Sequence, residues 1–308
     1  MGASAGVDRK NDMGVISIDG LTRDYGNGKG VFDLSFDVAK GEAFGFLGPN
    51  GAGKTTTIRH LMGLIKSQKG SCTINGMDCW SESYKIQRTL SYIPGETAFF
   101  DDMTGTDYLN FIGKYRGDYS EKRKNELVDA FGLDARSKIS KMSKGTKQKI
   151  AIVAAFMHDS DVFVLDEATS GLDPLMQNQF ISLVTAERDK GKTILMSSHS
   201  FEQVERTCHR VGIIREGKLV AVDSIDALRA NQVRSYVVTL QNVGDVQAFS
   251  KEPLTVTCTQ ENRVTVSVQN NMREFISVMN KYAVTNIYAP NQSLEEVFMH
   301  YYGGEQDV

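Results

Sequence analysis

Nine residues, Gly48-Pro49-Asn50-Gly51-Ala52-Gly53-Lys54-Thr55-Thr56, restrict this 308-residue chain more than any other stretch. They fit a glycine, four residues, then Gly-Lys-Thr, the pattern of a loop that cradles phosphates. The preceding Glu42-Ala43-Phe44-Gly45-Phe46-Leu47 reads as a short buried strand, and apolar residues recur at helical spacing over 54–64. The loop is therefore predicted at a strand-to-helix turn, which is the context the chemistry requires. Glycines let backbone N–H groups converge on phosphate without Cβ clashes, and the helix N-terminus points the positive end of its dipole at the same place. Lys54 is expected to reach the β- and γ-phosphates of a nucleotide, and the Thr55 hydroxyl to ligate Mg²⁺. A chance match in a glycine-rich chain is the competing account, and the flanking strand and helix weigh against it.

With 41% hydrophobic and 24% charged residues the chain can bury a real core, and its length allows one large domain and a smaller one. A formal charge of −3 gives no sign of the basic face that nucleic acid demands, so nucleic acid is not expected as a partner. No apolar run approaches the roughly 20 residues of a spanning helix, and residues 1–12 are polar, glycine-rich and without periodicity. The chain is expected to be soluble and cytoplasmic, with an unstructured start or a leftover of expression at 1–12. Cys72, Cys79, Cys208 and Cys258 have no paired spacing, which predicts buried thiols rather than disulfides or a zinc site.

Residues 15–21 read as the first strand and 23–28 as a polar turn carrying Tyr25. Tyr25 is either a cap on the core or, ahead of a phosphate loop, a platform on which adenine stacks. Phe32, Leu34, Phe36 and Val38 alternate as a second strand. After the loop helix come strands at 71–75 and 90–93, then Tyr92-Ile93-Pro94-Gly95-Glu96. Amphipathic helices are expected at 104–115 and 120–131, the second capped by a serine. Phe99, Phe100, Tyr108, Phe111, Tyr115 and Tyr119 crowd this region, as core or as a docking groove for another chain.

Ser143-Lys144-Gly145-Thr146 precedes an apolar helical run at 150–157, so Ser143 is a natural N-cap, and its hydroxyl with the glycine N–H forms a candidate second anion site. Residues 161–165 are a continuous buried strand that ends in Asp166 and Glu167. An acidic pair there is costly to bury alone. Mg²⁺ is the expected partner of Asp166, and Glu167 fits the base that orients or deprotonates an attacking water. Another buried strand at 193–197 leads to His199, which is placed to contact the γ-phosphate and that water. A hairpin at 211–223 and a short helix close the first domain near 230. Strands at 236–240, 254–258, 264–268 and 284–288 then alternate with helices near 245–250, 272–281 and 293–302, a β-α-β-β-α-β order that suits a small split βαβ domain.

Taken together, residues of about 14–230 resemble the ATP-binding subunit of an ABC transporter. The resemblance is carried by the Walker A loop Gly48 to Thr55, the Walker B strand with Asp166 and Glu167, the D-loop Ser170-Gly171-Leu172-Asp173, the switch His199 and a variant signature Ser143-Lys144-Gly145-Thr146. The Ser-Lys-Gly form of that signature and the ending Ser293-Leu294-Glu295-Glu296-Val297-Phe298 are similar to the ABC-2 exporter subfamily, which includes drug and antibiotic-peptide efflux systems. The resemblance implies an α/β phosphate-loop NTPase fold: a mixed sheet core, an antiparallel β subdomain and a helical subdomain over 13–230. A small C-terminal α+β domain over 233–303 and a tail at 304–308 would follow.

The resemblance also implies a head-to-tail pair, with a second copy of the chain or a paralogous ATPase. Lys54 of one chain and Ser143 and Gly145 of the other would hold one ATP, and its hydrolysis would work separate permease subunits at the cytoplasmic face of the plasma membrane. The alternatives are a soluble ABC-type remodelling factor, against which the single cassette and lack of long coiled coils count, and a non-catalytic regulator. The family usually places a glutamine where this chain has Gly95, and Glu96 beside it is acceptor-only as a carboxylate.

Overall fold

The computed structural model describes residues 14–117, 119–230, 234–268 and 271–289. They form two compact units divided between Ser224 and Ile225, where the sequence suggested a boundary a few residues later. The first unit is built on a six-stranded sheet of order β10-β9-β3-β8-β7-β6. Its members are β3 (Ala43–Leu47), β6 (Leu90–Ile93), β7 (Val162–Asp166), β8 (Thr193–Ser198), β9 (Arg210–Arg215) and β10 (Lys218–Ser224). All neighbours are parallel except the β9–β10 hairpin. Every residue of β3, β7 and β8 is buried, which is why these segments read as unbroken apolar runs: a parallel sheet is covered on both faces.

A second, antiparallel sheet of order β2-β1-β4-β5 comprises β1 (Ile16–Gly26), β2 (Lys29–Val38), β4 (Lys69–Ile74) and β5 (Met77–Asp78). Phe36 of β2 stacks on Phe44 of β3 with centroids 5.1 Å apart and meets Phe46 at 5.2 Å, which joins the two sheets through one aromatic seam. β1 runs five residues past its predicted end, so Tyr25 lies on a strand. The turn is Asn27-Gly28, with φ of 54° and 71°. Two left-handed residues in succession are what a two-residue hairpin needs, and Asn-Gly supplies them. Register shifts after Ile18 and Leu21 break the period-two pattern that would have marked the longer strand. In β2, Asp33 has φ 54° and shifts the phase, so Val31 rather than Phe32 is buried with Leu34, Phe36 and Val38.

α1 (Lys54–Leu61) follows β3, and α2 (Ser83–Thr89) precedes β6. The helical part holds α3 (Gly105–Arg116), α4 (Glu121–Ala130) and α5 (Lys144–Phe156). Thr104, Ser120 and Ser143 cap them, each accepting an N–H three residues on, and such caps contribute about 1 kcal/mol each. α6 (Pro174–Asp189) and α7 (Phe201–Thr207) flank β8.

The second unit begins with α8 (Ile225–Ala230) and carries the sheet β12-β13-β11-β14, all antiparallel, with the short α9 (Val246–Phe249) and α10 (Met272–Met279). The strands are β11 (Arg234–Leu240), β12 (Thr255–Gln260), β13 (Arg263–Val268) and β14 (Val284–Tyr288). That order is the split βαβ arrangement. Its core is Val238, Leu240, Phe249, Val264, Val266, Phe275 and their neighbours. The helix expected at 293–302, with the motif at 293–298, and the unstructured start at 1–12 lie outside the described residues. Burial keeps Cys72, with its pKa pushed up to about 12, and Cys79 protonated, and Cys208 is buried too. Cys258 departs from expectation: β12 is an edge strand, and the thiol is exposed. Among the described residues no helix is long and apolar enough to cross a membrane.

Candidate functional site at the carboxyl ends of three strands

β3 pairs with β8 and β8 with β7, so Gly48, Glu167 and His199 leave the sheet side by side at its carboxyl edge, where open α/β sheets bind ligands. Register makes this explicit: Leu47 lies opposite Ser198, and Asp166 opposite Ser197. The loop is shaped by its glycines. A Cβ on Gly48 would come 2.4 Å from the Ile214 carbonyl oxygen, and Gly53, with φ 110°, begins α1 with no side-chain cap. The first amides of α1 have no acceptor within the helix and are free to bind an anion. Pro49, Asn50 and Gly51 are exposed, Ala52 is buried, and Thr55 and Thr56 are half-buried.

The Lys54 side chain is 3% exposed. It donates to the carbonyls of Gly48 (2.6 Å) and Pro49 (3.1 Å) and pairs with Glu167 Oε1 at 3.2 Å. Asp166 is fully buried. Its Oδ1 accepts a short hydrogen bond from Ser197 Oγ, and its Oδ2 has no hydrogen-bond partner. An orphaned carboxylate oxygen at 0% exposure fits a cation, because such a charge is otherwise expensive to bury. No cluster of three or more His, Cys, Asp or Glu among the described residues could hold a metal alone, so a cation here would need oxygens from a ligand. Burial first, and the Asp166 charge second, push the Tyr92 hydroxyl up to about 12.

Glu167 has φ 45°, a left-handed conformation that costs a non-glycine residue about 1–3 kcal/mol. Its N–H is held by the carbonyl and hydroxyl oxygens of Ser197. The twist turns its carboxylate to Lys54 on one side and to His199 Nδ1, 3.8 Å away, on the other. Gly95 lies next to this group: a Cβ there would sit 3.2 Å from Asp166 Oδ2. Gly95, where the resemblance leads one to expect a glutamine, thus faces the orphaned oxygen with no side chain.

Ser143 and Gly145 lie at the start of α5. Ser143 is exposed, and its Oγ accepts from Thr146 N at 3.1 Å. A Cβ on Gly145 would come 2.7 Å from the Gly171 carbonyl oxygen, and Lys144 Nζ donates to Ser170 Oγ at 2.9 Å. The signature turn and the 170–173 turn are therefore bound to each other. Asp173 caps α6 by accepting Met176 N at 3.0 Å. Tyr25 is 51% exposed at the end of β1.

Two residues here escaped the sequence reading. Ser197 holds both Asp166 and Glu167, and a serine closing an apolar strand two residues before His199 was the available sign. Gln203 ties the ends of two strands, accepting from Thr169 Oγ1 at 3.0 Å and Ser198 Oγ at 3.2 Å. It sits inside α7, where nothing in the pattern singles it out.

Comparison with known proteins agrees with this geometry. The model of the family described as ABC transporter matches residues 31–170. The linearmycin resistance ATP-binding protein LnrL of Bacillus subtilis is 34% identical over 240 residues, 76% of this chain and 77% of that protein. The daunorubicin/doxorubicin resistance ATP-binding protein DrrA of Streptomyces peucetius is 31% identical over 310 residues, covering 95% of this chain and 93% of that protein. A solved structure described as the ATP binding subunit of an ABC transporter shares 31% identity, covers 70% of this chain and 92% of its own, and superposes with a TM-score of 0.63.

Proposed function

The chain belongs to the ATP-binding proteins of ABC transporters, which bind and hydrolyse ATP, and on that premise we propose that it powers a separate membrane permease as one half of an ATP-bridged pair. The observation that carries this is the convergence of the loop, buried Lys54, the orphaned Asp166 oxygen and the twisted Glu167 at one sheet edge. Backbone N–H groups between Asn50 and Thr56 receive the phosphates, and Lys54 exchanges the Gly48 and Pro49 carbonyls for phosphate oxygens. Thr55 and Asp166 would hold Mg²⁺, which neutralises charge on the phosphates. Glu167 accepts the proton of the attacking water, with His199 beside it. Tyr25 takes the adenine.

Ser143 is exposed and its hydroxyl bonds only within its own helix turn, and Gly145 beside it is half-exposed, which supports a role toward the phosphate held by a second chain, a copy or a paralogue, with Asp173 at the facing turn. The triphosphate then joins two surfaces through charge-assisted hydrogen bonds of roughly 1.5–3 kcal/mol each, and cleavage removes the join. The permease is expected on the exposed aromatic patch of α3 and its approach. Phe100 and Phe111 meet edge to face at 5.8 Å, Phe111 stacks on Tyr115 at 6.1 Å, and Phe100 and Tyr115 are 55% and 81% exposed. Through the permease the chain would sit at the cytoplasmic face of the membrane. The resistance proteins it resembles favour export of a drug-like or antibiotic cargo. The second unit is assigned to contact between the paired chains. Phosphate release from ATP by the purified chain, absent in Lys54→Ala, tests the enzyme. A folded Lys54→Ala protein that hydrolyses ATP as the parent does would reject it.

A further inference from the structure

The Arg23 guanidinium lies 5.3 Å from the centre of the Tyr25 ring. One side of that ring is therefore occupied by a cation of the same strand, while half of the tyrosine surface stays open to solvent. Nε of Arg23 is buried with no hydrogen-bond partner, as is Nε2 of His60 on α1. His60 Nδ1 lies 2.8 Å from the Thr56 carbonyl oxygen, so that nitrogen carries the proton and Nε2 is left as an acceptor. Burial first, and the Arg23 charge with it, keep this imidazole neutral, the Thr56 carbonyl opposing them. An unpartnered donor and an unpartnered acceptor are thus both buried, and the second belongs to the helix that starts at the phosphate loop.

The strand cannot slide relative to that loop. Arg23 pairs with Val31, and a Cβ on Gly53 would meet Val31 Cγ1 at 2.8 Å and the Gly30 carbonyl oxygen at 3.3 Å. On the other side, a Cβ on Gly30 would come 2.1 Å from the Arg23 carbonyl oxygen. β2 thus links the Arg23 backbone to the start of α1, Gly30 packing on the Arg23 carbonyl and the Val31 side chain on Gly53.

We infer that Arg23 is a positioning residue for base recognition: its guanidinium backs one face of Tyr25 and holds the ring so that the opposite face receives the purine, an inference that rests on Tyr25 taking the adenine. A half-exposed tyrosine at a strand end otherwise loses side-chain freedom each time a base stacks on it. A cation fixed on one face removes that loss before the nucleotide arrives.

The test compares two ligands that share phosphates and differ in the base. Binding of MgATP and of magnesium tripolyphosphate is measured by calorimetry for the full chain and for Arg23→Ala, Arg23→Lys, Tyr25→Ala and the double variant. Arg23→Ala is expected to weaken ATP by about two- to fivefold, the size of a cation–ring contact at an exposed site, and to leave tripolyphosphate unchanged. Arg23→Lys should recover part of the loss, and Arg23→Ala should add nothing in the Tyr25→Ala background. In steady state, KM for ATP should rise while kcat holds. Unchanged ATP affinity in Arg23→Ala, with ATP weakened in Tyr25→Ala, overturns the inference and leaves Tyr25 in its role. Equal loss of ATP and tripolyphosphate in Arg23→Ala overturns it in favour of simple support for the phosphate loop. Unchanged ATP affinity in Tyr25→Ala removes the platform and the inference together.

Discussion

The two halves of the site store their chemistry in opposite ways. On the phosphate-loop side the charges are buried: Lys54 is 3% exposed and clasped by the loop's own carbonyls, and Asp166 is fully enclosed with one oxygen unmatched. On the signature side Ser143 stands in solvent, and its hydroxyl is occupied only by its own helix turn. A buried charge is costly without partners, so Lys54 carries carbonyl stand-ins that a ligand displaces, while one oxygen of Asp166 stays unmatched. A surface hydroxyl is satisfied by water, so the signature side needs no stand-in, which suits the proposal that it acts when another surface brings phosphate to it.

The largest expected effect separates binding from chemistry on the loop side. Glu167→Gln keeps the shape, loses the proton acceptor and is expected to slow turnover by about 10²–10⁴, with ATP still bound and paired chains accumulating. Steady-state phosphate release with nucleotide binding and sedimentation checks this. Equal loss of binding and turnover would mean that Glu167 serves Lys54 rather than water. On the signature side, Ser143→Ala is expected to cost about 1 kcal/mol of stability through the lost cap, and to lower turnover by about tenfold through the lost hydrogen bond to charged phosphate. MgATP affinity of the single chain should hold. A drop in that affinity would move Ser143 to the loop side and dissolve the contrast.

Next in size is the unmatched oxygen. Asp166→Asn removes a buried charge, and without metal its Tm is expected to rise by about 2–4 °C, equivalent to about 1 kcal/mol in a chain of this size. Magnesium with ATP should raise the Tm of the parent more than that of the variant. Calorimetry of both proteins with and without Mg²⁺ decides it, and equal gains would place the cation elsewhere.

What the sequence made legible divides along the same line. The loop, the acidic strand end and His199 were readable because buried parallel strands are continuous apolar runs, and residues at their ends stand out by contrast. The caps at Ser120 and Ser143 were readable because capping is local. The length of β1 was not, since bulges at Gly20 and beyond destroy the alternation that marks a strand. Gln203, and the packing of Gly145 on Gly171, could not be seen either, because each depends on segments brought together only by the fold. Gly95 stood out only through the family resemblance, which puts a glutamine there, and only the fold sets it beside the free oxygen of Asp166.

The smallest effect concerns a group that belongs to the loop side without touching phosphate. His60 is buried on α1, and burial holds its pKa below the ordinary 6.5. An unfolded chain takes up that proton as pH falls past 6.5, whereas the folded chain resists until a lower pH. The unfolded state therefore binds more protons in this window, and stability declines with acid, by at most about 1.4 kcal/mol per pH unit for one group. Above 6.5 the imidazole is neutral in both states and contributes no slope. His60→Gln keeps a donor for the Thr56 carbonyl without a titrating ring, so its urea unfolding free energy should fall less steeply between pH 7 and 5 than that of the parent. Parallel slopes in the two proteins would show that the loop side's dependence on burial does not extend to the helix that carries it.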